Sequence, residues 1–379
     1  MRWTRSVAIV RVVHVLFRPG GLATVATVAA IVLLERSLPG VVAGLLGALT
    51  GGLLTVIASQ AGLLASVAVP GIALRRLVIG TGPRVVDWLT PQRIVTLRVV
   101  PLILSVSVRA ASVARIRVAA LCGFGFEAAV AAGAVMVASG PFTHGLALAA
   151  AAAAAVSLVP KRTATTTSTG WLLFRLPRSG GAQAAALVDH VLRAAQAGDL
   201  TTAERLATQL RTNHPTLPSA LAARIAVLAA QGRYPEAVVL AVRLTTGLAD
   251  DPGAFAMLAG LTCATVESGQ LDCETGLSTA SQAIENAAAL GYPNHRLNGA
   301  KAMVALLRGN LKEAITLARH AASTADDVLD RADDLATLAR AHMAAGDNRT
   351  ARQVLTEAEK LAKWWPRVAT TRTRLEVAS

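Results

Sequence analysis

Residues Ala58–Pro83 read ASQAGLLASVAVPGIALRRLVIGTGP, and the character of the chain changes within this stretch. Its first half closes a segment, from Val41 to Ala73, that contains no charged residue. A helix crosses a bilayer with about 17 to 25 apolar residues, so the segment predicts a membrane span at 41–69. Glycines such as Gly44 and Gly47 suit the close approach of helices inside a membrane. The stretch therefore predicts an integral membrane protein.

Three further apolar segments predict additional spans. Segments 118–139 and 142–160 are long enough to cross a bilayer, whereas 20–34 is short and is either a brief span or a re-entrant piece. Residues 74–117 carry eight arginines and alternating or β-branched runs, which predict short strands. Basic residues flank this loop and follow the last span, but none lies in the turn before residue 142. The positive-inside rule therefore places the loop and everything after Lys161 in the cytoplasm.

The positive charge of the protein belongs to its first half. Residues 1–180 hold 17 of the 37 Lys and Arg side chains but only three of the 23 acidic ones, and the remainder is balanced. The basic residues flank apolar runs without interleaved aromatic residues, which favours a membrane protein over a nucleic-acid-binding one. The composition, rich in Ala, Arg and Val, suggests a bacterial genome. We therefore expect a multi-pass protein of the bacterial cytoplasmic membrane, with no nucleic-acid partner.

The second half repeats a helical unit. Five glycines each end one Ala/Leu pattern and open another: Gly198, Gly232, Gly269, Gly309 and Gly346. Their spacing is close to the period of about 34 residues of tetratricopeptide repeats, which residues 183–365 resemble. In that resemblance the small residue five positions after the glycine packs the two helices of a unit together: Ala203, Ala237, Ala314 and Ala351. An unrelated helical bundle is the alternative.

The sequence also predicts details of individual repeat units. The third unit has Glu274 at the packing position and is interpreted as degenerate. Thr201 with Glu204, and Asn310 with Glu313, predict capping boxes at the start of second helices. Stacked units of this kind build an extended concave surface, so we expect a groove, lined by the first helices, that binds a protein partner.

Residues 41–178 resemble the site-2 protease family of intramembrane zinc metalloproteases in the order of several short phrases. Ser59-Gln60-Ala61-Gly62-Leu63 stands where the family has His-Glu-x-x-His, and Ile79-Gly80-Thr81-Gly82-Pro83 stands where it has a phrase like IGFGP. Cys122–Glu127 and Ser157–Pro160 stand where it has Ala-Gly-Pro-x-x-Asn and Asn-Leu-x-Pro, each partly kept. Ser168-Thr169-Gly170 follows where its third zinc ligand, an aspartate, lies.

The resemblance implies that the chemistry of the family is lost. In the family pattern, His, His and Asp bind zinc while Glu acts as the general base. Here Ser59, Leu63 and Thr169 replace the ligands and Gln60 replaces the base. The resemblance therefore implies no bound metal, no other cofactor and no peptidase activity. The alternative is that SQAGL is only a small-residue packing stretch of a membrane helix.

Glu127 is the one acidic residue inside a predicted span. Because an ionisable residue is costly in lipid, it is a functional hypothesis by default. It either lines a polar cavity or hydrogen-bonds to a neighbouring helix, and we favour the second interpretation.

Together these features predict a mainly all-α protein. A membrane domain at 1–178, with several helical spans and a small cytoplasmic β region, is followed by a cytoplasmic α-solenoid at 179–379. The expected function is that of a non-catalytic scaffold whose membrane part anchors the protein or recognises a transmembrane partner, while its repeats recruit a soluble protein. A component of a transport or secretion apparatus and a plain membrane-tethered adaptor are the alternatives.

Overall fold

The computed structural model describes residues 19–90, 93–110, 112–161, 167–178, 181–325 and 327–377. Over these residues the protein is mostly helical, with one two-stranded sheet. The chain divides into two units, of which the first ends at Ala182 and the second begins at Gln183, with Asp87–Ile94 grouped in the second. The first 18 residues of the predicted membrane domain lie outside the described part of the chain.

The first unit contains four apolar helices and the sheet. Its elements are α1 (Pro19–Leu34), α2 (Leu38–Ala65), β1 (Ile72–Thr90), β2 (Arg93–Ala110), α3 (Val113–Met136) and α4 (Pro141–Leu158). Among the described residues, three helices are long and apolar enough to cross a membrane: α2 with the turn that extends it to Ala68, α3 and α4. They correspond to the predicted spans, with ends shifted by a few residues. The helix at the predicted segment 20–34, α1, is shorter.

Helices α2 and α4 approach each other through glycine. A Cβ atom on Gly47 or Gly51 would overlap the carbonyl groups of Phe142 and Leu146 in α4. The buried positions of α2 are all Gly or Thr, whereas leucines such as Leu49 point outward and are exposed. This arrangement suits a bilayer, where helices associate by close backbone packing and large apolar side chains face lipid.

Strands β1 and β2 form a ribbon in place of the several short strands predicted for 74–117. Only residues 91–92 separate the strands, and so short a connection joins antiparallel strands. At about 3.3 Å per residue the ribbon is roughly 60 Å long. Within β1, Gly80 and Gly82 have φ values of 97° and 89°, a region that favours glycine. The GTGP phrase therefore marks a local distortion of the strand.

The second unit consists of five helical pairs and a final helix. The pairs are α5 (Gly181–Gln196) with α6 (Leu200–Asn213), α7 (Pro218–Ala230) with α8 (Tyr234–Gly247), α9 (Pro252–Glu267) with α10 (Cys273–Ala289), α11 (Asn298–Leu307) with α12 (Leu311–Thr324), and α13 (Val328–Ala344) with α14 (Asn348–Ala362). The final helix is α15 (Pro366–Val377). Short turns of helix at Trp171–Arg175 and Leu176–Arg178 precede α5.

Each predicted glycine ends the first helix of its pair with the same turn. The five glycines have φ between 72° and 80°. At the first of them, the Gly198 N–H donates to the Ala195 carbonyl and the Asp199 N–H to the Ala194 carbonyl, which is the Schellman motif. The same two bonds recur at the other four glycines. The capping boxes are wrong, because Asp199 rather than Thr201 caps α6, and the Asn310 side chain makes no capping bond.

The third pair is offset in sequence. In the other pairs the residue after the glycine is the N-cap of the second helix, but here the N-cap is Asp272, three residues after Gly269. The small packing residue moves with it to Gly276, which is buried and whose added Cβ would overlap Val266. Glu274 is exposed. The loop is therefore longer, and the helix contact itself is kept.

Alanine fills much of the core of the second unit. The four predicted packing residues Ala203, Ala237, Ala314 and Ala351 are all 0% exposed. Trp364 and Trp365, just before α15, pack both against the core of α5, α6 and α7 and against that of the last pairs. The segment before α15 therefore joins the two ends of the unit.

Candidate functional site

Gln60, at the position of the general base in the resemblance, is hydrogen-bonded to strand β2. Its side-chain Oε1 accepts a hydrogen bond of 2.7 Å from the backbone N–H of Val106 in β2. Val106 is buried, and an unpaired N–H there would cost about 1–3 kcal/mol. An amide oxygen accepts hydrogen bonds but takes up no proton at neutral pH. The side chain therefore fastens β2 to α2 and offers no general base.

Ser59 and Leu63 lie where α2 packs against α3. A Cβ atom on Gly123 of α3 would stand 3.4 Å from the Ser59 carbonyl oxygen and 3.5 Å from the Leu63 side chain. A Cβ atom on Gly62 would overlap the Cys122 carbonyl. The close approach of the two helices is therefore at Gly62, whereas a Cβ atom at Gly123, the residue kept in the resemblance, would make ordinary van der Waals contacts. This is also the arrangement expected of a small-residue packing stretch.

Thr169, the third predicted position, lies beside the end of α4. The neighbouring Ser168 hydroxyl donates to the Val159 carbonyl at 2.7 Å and accepts from the Lys161 N–H at 2.8 Å. Gly170 approaches the Leu158 carbonyl so closely that a side chain would overlap it. The described contacts of this segment therefore fold it back onto α4. Among the described residues, no group of three or more His, Cys, Asp or Glu side chains could hold a metal ion.

Glu127 makes the neighbour contact that we favoured. Its carboxylate accepts a 2.7 Å hydrogen bond from the Ser157 hydroxyl of α4, and Glu127 is only 6% exposed. This bond crosses from α3 to α4 inside the bundle. A second polar pair, His144 Nδ1 and Glu35 Oε1 at 3.1 Å, lies at the start of α4. Sequence reasoning missed that pair because its members are 109 residues apart.

The second unit contains a buried ionic cluster that sequence reasoning also missed. Arg367 of α15 is 4% exposed and donates from Nε and Nη2 to the two Glu267 oxygens at 2.6 and 3.1 Å. Its Nη1 donates to Asp333 at 2.5 Å, and its Nη2 also donates to the Thr337 hydroxyl at 3.0 Å. Arg340 forms a second ion pair with Glu267. One guanidinium thereby connects α9, α13 and α15.

The charges of this cluster support one another. Burial works against the ionisation of Glu267, but Arg367 and Arg340 outweigh it and hold the pKa of that carboxyl below its usual range. Burial likewise opposes the charge of Arg367, yet Asp333 and Glu267 raise its pKa well above the usual value. The pKa of Asp334 lies well above its usual range because of burial and the negative charges of Asp333 and Asp330. The cluster is therefore an ionised network with a carboxyl beside it that favours the neutral form.

The first helices of the pairs meet α15 at this cluster. Glu267 of α9 and Asp333 of α13 belong to the helices that we expected to line an open groove. In the structure both bind Arg367, and the Trp365 indole N–H donates to Asp333 at 2.7 Å. This part of the inner surface is therefore filled by the chain itself.

An open cleft of about 450 Å³ lies on the second helix of the third pair. It is lined mainly by polar side chains of α10 and by Arg308: Glu274, Ser278, Ser281, Gln282, Glu285 and Arg308. The Arg308 Nη2 donates to the Ser281 hydroxyl at 2.9 Å. Two carboxylates and several hydroxyl and amide groups thus face one solvent-filled space.

The predicted residues fall into separate places. Ser59, Gln60, Leu63 and Glu127 lie in α2 and α3 of the first unit, and Thr169 follows α4. Each predicted glycine and alanine of the repeats makes contacts within its own helical pair. The buried cluster and the cleft belong to the second unit. No protein-family model matches the chain, and no curated protein or solved structure matches it either.

Proposed function

We propose that the protein is a non-catalytic membrane scaffold. Its first unit is a pseudoprotease that resembles a site-2 protease without zinc ligands, and its second unit is a cytoplasmic tetratricopeptide-like solenoid that recruits a protein partner. The observation that carries the proposal is the hydrogen bond from the Val106 N–H to the Gln60 side chain. In this proposal, the residue at the position of the catalytic base serves to attach β2 to α2.

The neighbouring positions support the same conclusion. A catalytic zinc site needs about three protein ligands and an open position for water. The leucine at 63 has no ligand atom, and the backbone at Ser59 packs closely against Gly123. Rebuilding a zinc site would therefore require new ligands at these positions.

The cleft on α10 is the surface that we assign to the partner of the repeats. The inner surface near α9 and α13 already holds α15, whereas the cleft is open to solvent. Glu274 and Glu285 outnumber the single cation of the cleft, Arg308, so its net negative charge suits a basic peptide segment, and its hydroxyl and amide groups add hydrogen-bonding positions. Burying both acidic groups against a partner that brings cations would avoid leaving unpaired charge.

Zinc analysis tests the pseudoprotease. The full chain, purified from membranes without chelator, should contain far less than one zinc per molecule by elemental mass spectrometry. It should also leave membrane-spanning test peptides uncut. Stoichiometric zinc together with peptide cleavage that a chelator stops would overturn the assignment.

Site-specific crosslinking tests the recruiting cleft. A photoreactive amino acid at Ser278, in the full chain in its native membrane, should capture a defined protein, and the substitutions E274R and E285R should abolish the capture. The same group at exposed Thr246 on α8 is the matched control. Equal capture at both positions, or capture unaffected by the charge reversals, would remove the cleft from the proposal.

A domain exchange tests the alternative of a plain tether. A chain in which unrelated membrane helices replace residues 1–178 should lose part of its partner set if the first unit recognises a transmembrane protein. An unchanged partner set would favour the tether.

A further inference from the structure

A concentration of arginines lies at the base of the β-ribbon. We call Arg75, Arg76, Arg109, Arg115 and Arg117 the basal arginine cluster. Strand β1 starts four residues after the turn that ends α2, and α3 starts three residues after β2 ends. Because the strands are antiparallel, the first residues of β1 and the last residues of β2 lie at the same end of the ribbon. The cluster therefore lies beside the ends of two candidate membrane spans.

One contact joins the two sides of the cluster directly. The guanidinium of Arg115, in the first turn of α3, lies against Gly71, immediately before β1, where any side chain would overlap it. Arg75 and Arg117 are exposed, and Arg76, Arg109 and Arg115 are half-buried. The Arg115 guanidinium is therefore held beside the start of β1, and none of the five arginines is fully buried.

The sequence supplies no acidic residue in the segments that meet there. Over residues 37–188 the sequence contains only two acidic residues, Asp87 and Glu127. In a three-span topology, α4 ends on the side of the bundle where α3 starts. Three further basic residues follow α4: Lys161, Arg175 and Arg178. This end of the first unit thus carries a large excess of positive charge.

The position of the cluster beside the spans suits a phosphate ligand from the bilayer. Phospholipid phosphates lie at the depth where a spanning helix leaves the hydrocarbon, which is where the cluster lies. The planar guanidinium fork binds phosphate oxygens in pairs, and basic segments beside spans are attracted to anionic leaflets. The ribbon base has no aromatic residues interleaved with its arginines, which a single-stranded nucleic acid would use for stacking.

We propose that the basal arginine cluster binds the phosphate groups of anionic phospholipids in the adjacent leaflet. The inference depends on the three helices crossing a bilayer and is independent of the scaffold function, so it would survive the finding of a zinc enzyme. It assigns to the first unit a lipid-headgroup site in addition to its spans.

Native mass spectrometry of the full chain tests the site. The protein is released from mixed micelles that contain phosphatidylglycerol and phosphatidylcholine in equal amounts, and the lipids retained on each molecule are counted. We expect preferential retention of phosphatidylglycerol and a fall of at least about threefold in R75Q/R76Q/R109Q/R115Q. The control R211Q/R243Q/R319Q/R349Q removes the same charge from exposed sites of the second unit and should retain phosphatidylglycerol.

Three further outcomes decide against the proposal. They are equal retention of the two lipids by the unmodified chain, an equal fall in both variants, and displacement of phosphatidylglycerol by inorganic phosphate or by an oligonucleotide. The variant R75K/R76K/R109K/R115K keeps the charge and should keep the lipid preference with fewer lipids bound. If the Gln variant does not fold, the proposal is tested by the lipid preference of the unmodified chain and by the number of lipids bound to the Lys variant.

Discussion

At the scale of single residues, the buried guanidinium of Arg367 bonds to side chains of two other helices in the second unit. Its guanidinium bonds to Glu267, Asp333 and Thr337 while only 4% exposed. Burying such a pair costs desolvation that its attraction roughly offsets, but removing one partner leaves the other charges buried without compensation. The intact network therefore adds little net stability, whereas the loss of one partner lowers the free energy of unfolding strongly.

Arg367→Met should destabilise the second unit by about 3–5 kcal/mol, because Glu267 and Asp333 lose their shared cation. Hydrogen exchange of the α9, α13 and α15 amides in the full chain measures the change. Arg233→Met is the control, because Arg233 is exposed and pairs with the exposed Glu236 at the surface. That change should alter stability by no more than about 1 kcal/mol. Similar losses for both variants would contradict the assigned role of burial.

Asp334→Asn should make the second unit more stable at neutral pH. The folded state raises the pKa of Asp334 above its ordinary value of 3.8, so the folded protein binds more protons there and loses stability as the pH rises. The variant should gain stability at pH 7, and the gain should vanish as the pH falls to the ordinary pKa of 3.8. Denaturation between these pH values, with exposed Asp250→Asn as control, measures it. A gain independent of pH would argue against an ionising carboxyl.

At the scale of elements, glycine decides how the membrane helices pack. Gly51 of α2 faces the Leu146 backbone of α4, whereas the adjacent Gly52 has nothing within 4 Å. Two neighbouring glycines of one helix therefore have opposite tolerance for a side chain, although their helix propensities are the same.

Gly51→Leu should separate α2 from α4 and destabilise the first unit by at least about 1–3 kcal/mol, the usual range for overpacking. Gly52→Leu should be tolerated, because its side chain enters open space. Thermal unfolding and gel filtration of the detergent-solubilised chains compare the two. Should Gly52→Leu be the more damaging change, the packing of α2 described above would be wrong.

The sequence predicted the elements whose causes are local. Apolar runs located α2, α3 and α4 to within a few residues, and glycine placed all five turns between paired helices. The ribbon was less predictable, because the predicted loop extended to Arg117 whereas α3 begins at Val113, after its Ser112 cap. The prediction for the third pair was wrong, because the close contact between its helices is made by Gly276, two residues beyond the predicted position. The Arg367 cluster joins residues 34 and 100 positions apart, and no local pattern reveals such pairs.

At the scale of the whole molecule, the two units differ in what holds each together. The first is joined by glycine contacts and isolated polar bonds between apolar helices. The second is a chain of helical pairs whose two ends are connected through Trp364, Trp365 and α15. Neighbour-to-neighbour packing would let the ends of an array unfold independently, but this connection couples them.

Deleting residues 364–379 should therefore loosen α5 and α6, which lie more than 150 residues earlier in the sequence. Trp364 packs against the turn at Gly198, so its loss exposes the core of the first pair. Hydrogen exchange should show faster exchange in α5 and α6 as well as in α13 and α14. Deleting only residues 377–379, where Val377 is exposed, is the control. Faster exchange confined to the last pair would contradict the coupling.

The alanine-filled core of the second unit has a consequence for tolerance of sequence change. Where buried methyl groups such as those of Ala237 and Ala351 hold helices together, shortening a side chain removes almost nothing. Added volume has no room, because the backbones are already close. In a core of large side chains, truncation is the damaging change, whereas here enlargement is. Selection should therefore remove substitutions that enlarge these alanines.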